Sequence, residues 1–439
     1  MRDLVLALFL IGIFPVAISR PFIGLLVYLF LSVASPHRLT WGFAYEIPWA
    51  QLFAIPLIFS VILRGDYSLL KQLKHWSLPL LLLGWAAMTT LFSLSPEVAG
   101  EKLSALAKLN LGCLLILAIV KTPRETRITL LVIAMSIGIY GFKGAIFMMS
   151  TGGIHRVAGP PESNLGDNNA LALALIVVTP ILAWAAMSEA RKLLRGVYFA
   201  TVAASILSAV GTYSRGGFLG LATVLTVYII RSGSILRYGL MLVPVIAIAL
   251  NFMPEQFWQR INSINDYQTD NSSLERLHTW QAMYNLANDR LTGGGFSAYT
   301  NPASVLPYAP TLDFPVRAAH SNYFQVLGDH GWIGLTIFLL IIIATFVRLQ
   351  RIIKRARKLG DTDTRQLGYA LQASILAYCV SGTFLSMAYW EAAWYLIAVI
   401  VTVARNEQLA PKPSEEATLA LQKQLGRPLT STTRHAKSF

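Results

Sequence analysis

Gly331-Trp332-Ile333-Gly334-Leu335 opens an apolar run that continues through Val347 and ends on Arg348, Arg351, Lys354, Arg355, Arg357 and Lys358. A run reaching from 323 to 347 is long enough to cross a hydrocarbon core of about 30 Å as a helix. Basic residues massed at one end mark that end as the inner side. The same pairing recurs outward from this stretch. Lys121, Arg124 and Arg127 form one basic loop, Arg191, Lys192 and Arg195 another, and Arg64, Lys71 and Lys74 a third. Of the 439 residues, 55% are hydrophobic and 13% charged, against roughly 25% charged in a soluble domain. Mean hydropathy is +0.54. These features predict an all-α, polytopic membrane protein, and no alternating pattern of a β-barrel is present. The net charge of +14 sits in the short loops that orient a membrane protein, which argues against nucleic acid as a partner.

With the basic loops inside, spans are expected over 77–94, 103–120, 128–149, 169–187, 196–212, 216–231, 237–252, 323–347, 366–386 and 390–404. Runs 4–19, 21–35 and 47–63 add either three spans or two and a partial element. We take about twelve spans, with both ends inside. The chain then divides into an N-terminal bundle (1–252), an external region (253–322), C-terminal spans (323–404) and a polar tail (405–439) expected to be disordered. Cys113 and Cys379 lie in apolar runs and read as packing residues.

The external region is more than a connection. Phe257, Ile261 and Ile264, after Pro254, suit a helix lying in the membrane interface. Ser272-Ser273-Leu274-Glu275 reads as a capping box. It opens a helix whose expected apolar face is Leu277, Trp280, Tyr284, Ala287 and Leu291, ended by Gly293-Gly294-Gly295. Pro302, Pro307, Pro310 and Pro315 then lead to His320.

The polar residues of interest fall on this outer side, where arginines run against the usual bias. Arg215 opens a span, where backbone N–H groups favour an anion, and Gly216 and Gly217 are expected to leave room for a head group. Arg276 and Trp280 lie one helical turn apart. Arg156 and Arg317 are loop cations, and Arg260 and Arg290 belong to the same region. Lys108 and Lys143 are the ionisable residues deepest in apolar runs. For each cation the rival reading is a side chain snorkelling to lipid phosphate or a solvated face. His320 suits proton transfer near neutrality. His155, His278 and His330 are its competitors, His330 lying about 15 Å further in if the helix is regular. Asn322, Asn168 and Trp280 are expected to position substrate. No external cluster has metal-ligand spacing, so no metal and no cofactor is expected. Asp361-Thr362-Asp363 has the form of a nucleotide-sugar motif but sits in the basic loop and reads as solvated surface. Arginines at phosphate depth stabilise a diphosphate leaving group. A sugar or serine hydroxyl needs a base as its bond forms. Together these point to glycosyl transfer from a lipid diphosphate.

Over roughly residues 150–350 the chain resembles the O-antigen ligase and polymerase superfamily of bacterial envelopes (the WaaL and Wzy group). The residues that carry the resemblance are Ser214-Arg215-Gly216-Gly217, Ser273-Leu274-Glu275-Arg276 with Trp280, Leu291-Thr292-Gly293-Gly294-Gly295, His320-Ser321-Asn322 and Gly328-Asp329-His330-Gly331-Trp332-Ile333-Gly334. The stretch Gly159 to Asn169 resembles a subgroup of O-glycosylation ligases. The resemblance implies a metal-independent, inverting transferase of the GT-C kind in the bacterial inner membrane, with a periplasmic active site. Its donor would be a glycan on undecaprenyl diphosphate. Arg215 and Arg276 would bind the diphosphate, with Arg156, Arg317 and Lys143 as further cations, and His320 would activate the acceptor. The leading acceptor is a lipid A core sugar. The rivals are a growing glycan in a Wzy-like polymerase and a protein Ser/Thr. A lipid-linked glycan flippase and a structural scaffold are the readings from other classes.

Overall fold

The computed structural model describes residues 1–64, 69–232 and 271–409, and no strand occurs among them. The expected span 237–252, the interfacial segment with Arg260, and the tail from 410 lie outside the described residues. The helices are α1 (Arg2–Ser19), α2 (Pro21–Ala34), α3 (Trp49–Arg64), α4 (Leu69–Leu73), α5 (Ser77–Leu91), α6 (Pro96–Ile119), α7 (Pro123–Ser150) and α8 (Asn168–Ser188). They continue with α9 (Lys192–Gly211), α10 (Arg215–Ser232), α11 (Asn271–Asp289), the short α12 (Pro302–Val305), α13 (Asn322–Leu359), α14 (Thr362–Ser381) and α15 (Glu391–Leu409). Seven helices among the described residues are long and apolar enough to cross a membrane, and Pro21–Ala34 and Trp49–Leu63 are shorter apolar ones. The chain is a multi-pass helical membrane protein.

Local chemistry sets the helix starts. At α7 the Thr122 hydroxyl accepts from Glu125 N, and the Glu125 carboxylate accepts from Thr122 N, with Pro123 in the first turn. This reciprocal pair satisfies two donors that a helix start would otherwise leave bare. Asp167 caps α8 and Asp361 caps α14 in the simpler one-sided way. The Asp361-Thr362-Asp363 stretch is thereby used structurally, since Asp363 also accepts from Trp184 Nε1 at 3.1 Å. Small residues bring helices close. A Cβ at Gly138, Gly141 or Gly144 of α7 would collide with Thr201, Ser205 or Ser208 of α9, so these glycines allow the tight crossing common in membrane bundles.

Two expectations need correction. The basic stretch after Val347 is not a loop, because α13 continues as helix to Leu359. Nor is α13 regular. Gly331 has φ 65° and ψ −169°, which breaks the helix. The break frees carbonyls that a regular helix would use. Gly294 N donates to Gly328 O at 2.8 Å, Gly295 N to Asp329 O at 3.0 Å, and Trp85 Nε1 to His330 O at 2.8 Å. Three of the freed carbonyls thus find donors, as a water-poor environment requires. The glycine turn reaches this depth because it has no side chains. A Cβ on Gly293 would lie 2.7 Å from Gly328 O, and one on Gly331 would lie 2.4 Å from Leu291 O.

The interlock yields a prediction. Gly331→Ala puts a side chain into a backbone region reserved for glycine and into the Leu291 carbonyl, and should destabilise the protein by about 2–4 kcal/mol. Thermal unfolding of the purified protein measures this. Gly84→Ala, where a methyl meets nothing within 4 Å, should leave the midpoint unchanged. Equal midpoints for the two variants would remove the interlock from the stability of the fold.

Candidate active site

Three segments are sewn together at the end of the bundle where α7, α9 and α11 finish or turn. Val157 N donates to Gly211 O at 2.9 Å, Asn168 Nδ2 to Thr212 O at 2.8 Å, and the Tyr213 hydroxyl to Gly153 O. These bonds fix the 151–168 loop against the turn that carries Arg215. Ser214 caps α10 by accepting from Gly217 N at 3.1 Å. On the other flank Ser381 Oγ donates to Gly216 O at 3.0 Å. The adjacent Gly382 packs so closely on Asn322 that a Cβ there would lie 2.2 Å from its Nδ2. Arg215 and His320 therefore stand on two sides of one helix end, that of α14.

His320 is exposed and sits at φ 45°, a conformation that costs a non-glycine residue about 1–3 kcal/mol. Its neighbours hold it there. Trp280 Nε1 donates to Ala319 O at 2.6 Å, and the Trp280 ring stacks on Phe324 with centroids 4.8 Å apart and planes 8° from parallel. Ser321 caps α13 through Phe324 N. Among the described residues the imidazole has no hydrogen-bond partner. Partial removal of water lowers its pKa, the Arg276 guanidinium lowers it further, and the Asp167 and Glu275 carboxylates oppose them. Arg276, Asp167 and Glu275 thus converge on His320 from α11 and the start of α8. The net effect favours neutral imidazole at pH 7, the form that accepts a proton.

The other expected residues fall in different places. Arg317 pairs with Glu275 at 3.9 Å and is largely exposed. Arg156 is exposed and lies near the Tyr213 phenol, which burial raises and Arg156 pulls down. Lys143 lies on an exposed side of α7, with no described contact to these residues. Asn322 is 1% exposed, and its Oδ1 accepts from Met387 N at 2.6 Å. It braces α13, as Asn168 braces Thr212 and Trp280 braces Ala319. Arg290 closes the glycine turn by donating to Gly293 O at 3.0 Å and Phe92 O at 2.6 Å. Gly217 does not open space: a Cβ there would lie 2.8 Å from Ala172, so its smallness serves helix packing, whereas a Cβ on Gly216 would make ordinary contact with Phe384 and Ser381 at 3.6 Å. The expected apolar face of α11 is also displaced. Ala282, Met283 and Leu286 are buried with Ala287 of the expected face, and Trp280 is half-buried, whereas Leu277, Tyr284 and Leu291 are exposed. Met283 covers Gly328, and Tyr284 meets Trp332 edge to face at 5.8 Å.

The competing histidines are accounted for. His330 is fully buried, its Nδ1 2.7 Å from Thr89 Oγ1 and its ring 4.5 Å from that of Phe296. His278 is buried, with Nε2 3.0 Å from Thr311 O. His155 is exposed on its loop.

A cavity of about 710 Å³ lies behind the segment that carries His320, sharing Ala318 and Ala319 as a wall. Ala54, Ile55 and Ile58 of α3 form an apolar side, and Lys102, Lys108, Asn164, Asp329 and Glu391 a polar one. Asn164 Nδ2 donates to the Glu391 carboxylate, and Asp329 accepts from Ser297 N at 2.9 Å. Sequence reasoning singled out Lys108 but passed over Lys102, Asp329 and Glu391. The available signal was the acid that opens the last apolar run.

The fold and this polar end define a class: multi-pass helical membrane proteins with an arginine-and-histidine site at one end of the bundle. Residues 199–339 match the family described as O-antigen ligase, which supports membership of the O-antigen ligase superfamily. Residues 1–190 match a family of unknown function. No curated protein matches the chain.

The charges around His320 yield a prediction with a sign. Arg276→Gln removes a repelling cation and should raise the His320 pKa. Asp167→Asn removes an attracting anion while keeping a cap for α8, and should lower it. Each shift should be up to about one unit. The pH at which diethyl pyrocarbonate half-modifies His320, followed by mass spectrometry, reads the shift, and identical midpoints in both variants would separate these charges from the histidine.

Proposed function

We propose that the protein is a glycosyltransferase that moves an O-antigen polysaccharide from undecaprenyl diphosphate to a sugar hydroxyl of the lipid A core, on the periplasmic face of the bacterial inner membrane. The observation that carries the reading is the convergence of Arg276 and Asp167 on a strained, exposed and neutral His320. The match to the O-antigen ligase family supports a ligase- or polymerase-type function in O-antigen assembly. It implies a lipid-linked glycan and an acceptor as substrates.

In this reading the acceptor hydroxyl attacks the anomeric carbon from the side opposite the diphosphate. The new O–C bond forms as the C–O bond to phosphate breaks, and that electron pair leaves with the diphosphate. Arg215 and Arg276 balance the charge that grows on the leaving group, and Arg156 and Arg317 attract it from further out. The hydroxyl proton passes to the free nitrogen of His320. Arg276 disfavours the resulting imidazolium, so the proton is readily lost and the base restored. No step needs a metal. Trp280, Asn168 and Asn322 act as positioning residues through the backbone they hold. Lys143, on its exposed helix face, meets lipid phosphate. The cavity behind Ala318 and Ala319 has an apolar and a polar side, which suits an amphiphilic substrate.

The test uses purified protein, a lipid-diphosphate glycan and three acceptors without added metal: lipid A core, the same glycan, and a Ser/Thr peptide. Transfer to core is expected. His320→Ala should lower kcat about 10²–10⁴-fold, and Arg215→Ala or Arg276→Ala about 10²–10³-fold, with folding checked by thermal unfolding. Transfer only to glycan or only to peptide would reassign the acceptor. Full turnover in folded His320→Ala would remove the base, and lipid translocation without transfer would indicate a flippase.

A further inference from the structure

The opposite end of the bundle carries a second concavity of about 490 Å³, lined by His75, Arg348, Arg351, Arg355 and Arg405 with the small apolar Ile352, Val401 and Ala404. Arg348, Arg351, Ile352 and Arg355 follow i, i+3, i+4, i+7 spacing and so occupy one face of α13. Val401, Ala404 and Arg405 do the same on α15. No acidic side chain is among the described residues that line the cavity. Arg405 is held in place by Leu117 O at 2.6 Å, Val120 O at 3.1 Å and Gln72 Oε1 at 2.7 Å. It thereby caps the end of α6 while its charge stays beside the cavity. Burial lowers the His75 pKa, and Lys74, Arg405 and Arg348 lower it further, which registers the density of positive charge. Membrane orientation calls for basic residues at this end but not for their convergence on one cavity.

A second groove of about 430 Å³ adjoins the first. Its lining is Ile343, Phe346, Val347, Gln350, Arg351 and Lys354, so Arg351 borders both spaces. Ile343 and Val347 are 56% and 42% exposed, on the apolar part of α13. A free anion would use only the basic cavity. The two spaces together match a molecule with a phosphate at one end and a hydrocarbon chain at the other.

We propose that this end of the bundle binds an anionic phospholipid, with its headgroup phosphate in the arginine cavity and an acyl chain along Ile343, Phe346 and Val347. Arginine suits the headgroup because its planar fork bonds two phosphate oxygens at once. Basic pockets between membrane helices are a known means of holding such headgroups. The site lies at the far end of α13 from His320 and does not depend on the reaction assigned there.

The test is native mass spectrometry of the full-length, delipidated protein with phosphatidylglycerol, with phosphatidylcholine of the same chains, and with inorganic phosphate as a competitor. At least tenfold stronger retention of phosphatidylglycerol is expected. It should fall about tenfold in Arg348→Gln/Arg351→Gln and persist in Arg357→Gln/Lys358→Gln, which removes the same charge from exposed positions further along α13. Arg351→Gln alone, at an exposed position, should give an intermediate loss and keeps the test decisive if the double variant does not fold. Equal retention of the two lipids, or equal loss in both double variants, would overturn the proposal. Displacement of the lipid by phosphate alone at millimolar concentration would make the cavity a free-anion site and also overturn it.

Discussion

Two backbone N–H groups, those of Gly294 and Gly295, enter the break in α13 and take the carbonyls of Gly328 and Asp329. Much of that end of the bundle follows from that contact. A helix broken inside a membrane protein leaves acceptors that water does not reach, and each costs several kcal/mol unless another donor arrives. The glycine turn supplies two donors and Trp85 a third. Once the turn is seated, α11 cannot slide, because Met283 closes over Gly328. Trp280, one turn earlier on the same helix, then holds Ala319 and with it the segment that ends on His320. The position of a surface histidine is thereby set by backbone contacts made deeper in the protein.

The helices were legible in the sequence because burial in lipid imposes one rule on all of them. Apolar runs bounded by basic loops, by Thr122-Pro123 or by Asp167 overlap α6 to α10 and α13 to α15, although α6 starts seven residues earlier than expected and α13 runs twelve residues further. Packing was less legible. Gly217 looked like room for a ligand, yet it admits Ala172, since a small residue reads the same whether its neighbour is a substrate or a helix. The face of α11 was misjudged for a related reason. At a membrane interface an exposed apolar stripe is permitted, so Leu277, Tyr284 and Leu291 face outward while Ala282 and Leu286 pack inward. The motif residues around Gly328 and Gly293 were visible, but their pairing was not, because it is made by main-chain atoms that leave no trace in side-chain pattern. Asn322 was expected to position substrate, and its buried Oδ1 accepts from the backbone N–H of Met387.

The site also concentrates conformational strain. Among the described residues five non-glycine residues adopt positive φ, and two of them are His320 itself and Tyr213, two residues before Arg215. Each is pinned by a bond from another segment: Tyr213 through its hydroxyl to Gly153, His320 through the preceding carbonyl to Trp280. Strain of this kind persists only where surrounding contacts over-determine the backbone. Here it holds an imidazole outward from a chain that would otherwise continue as an extended strand into the helix cap.

The length of α13 has an electrostatic consequence of its own. From Trp332 to Val347 the helix rises about 22 Å, and from Arg348 to Arg357 it rises about 13 Å more. Ionic screening at physiological salt has a decay length of about 8 Å. Two sets of basic residues on one continuous helix therefore sense the bilayer differently. Arg348 and Arg351 stand within reach of its surface charge, while Arg357 and Lys358 are raised on a helical post into bulk electrolyte, where the membrane's field has largely died away.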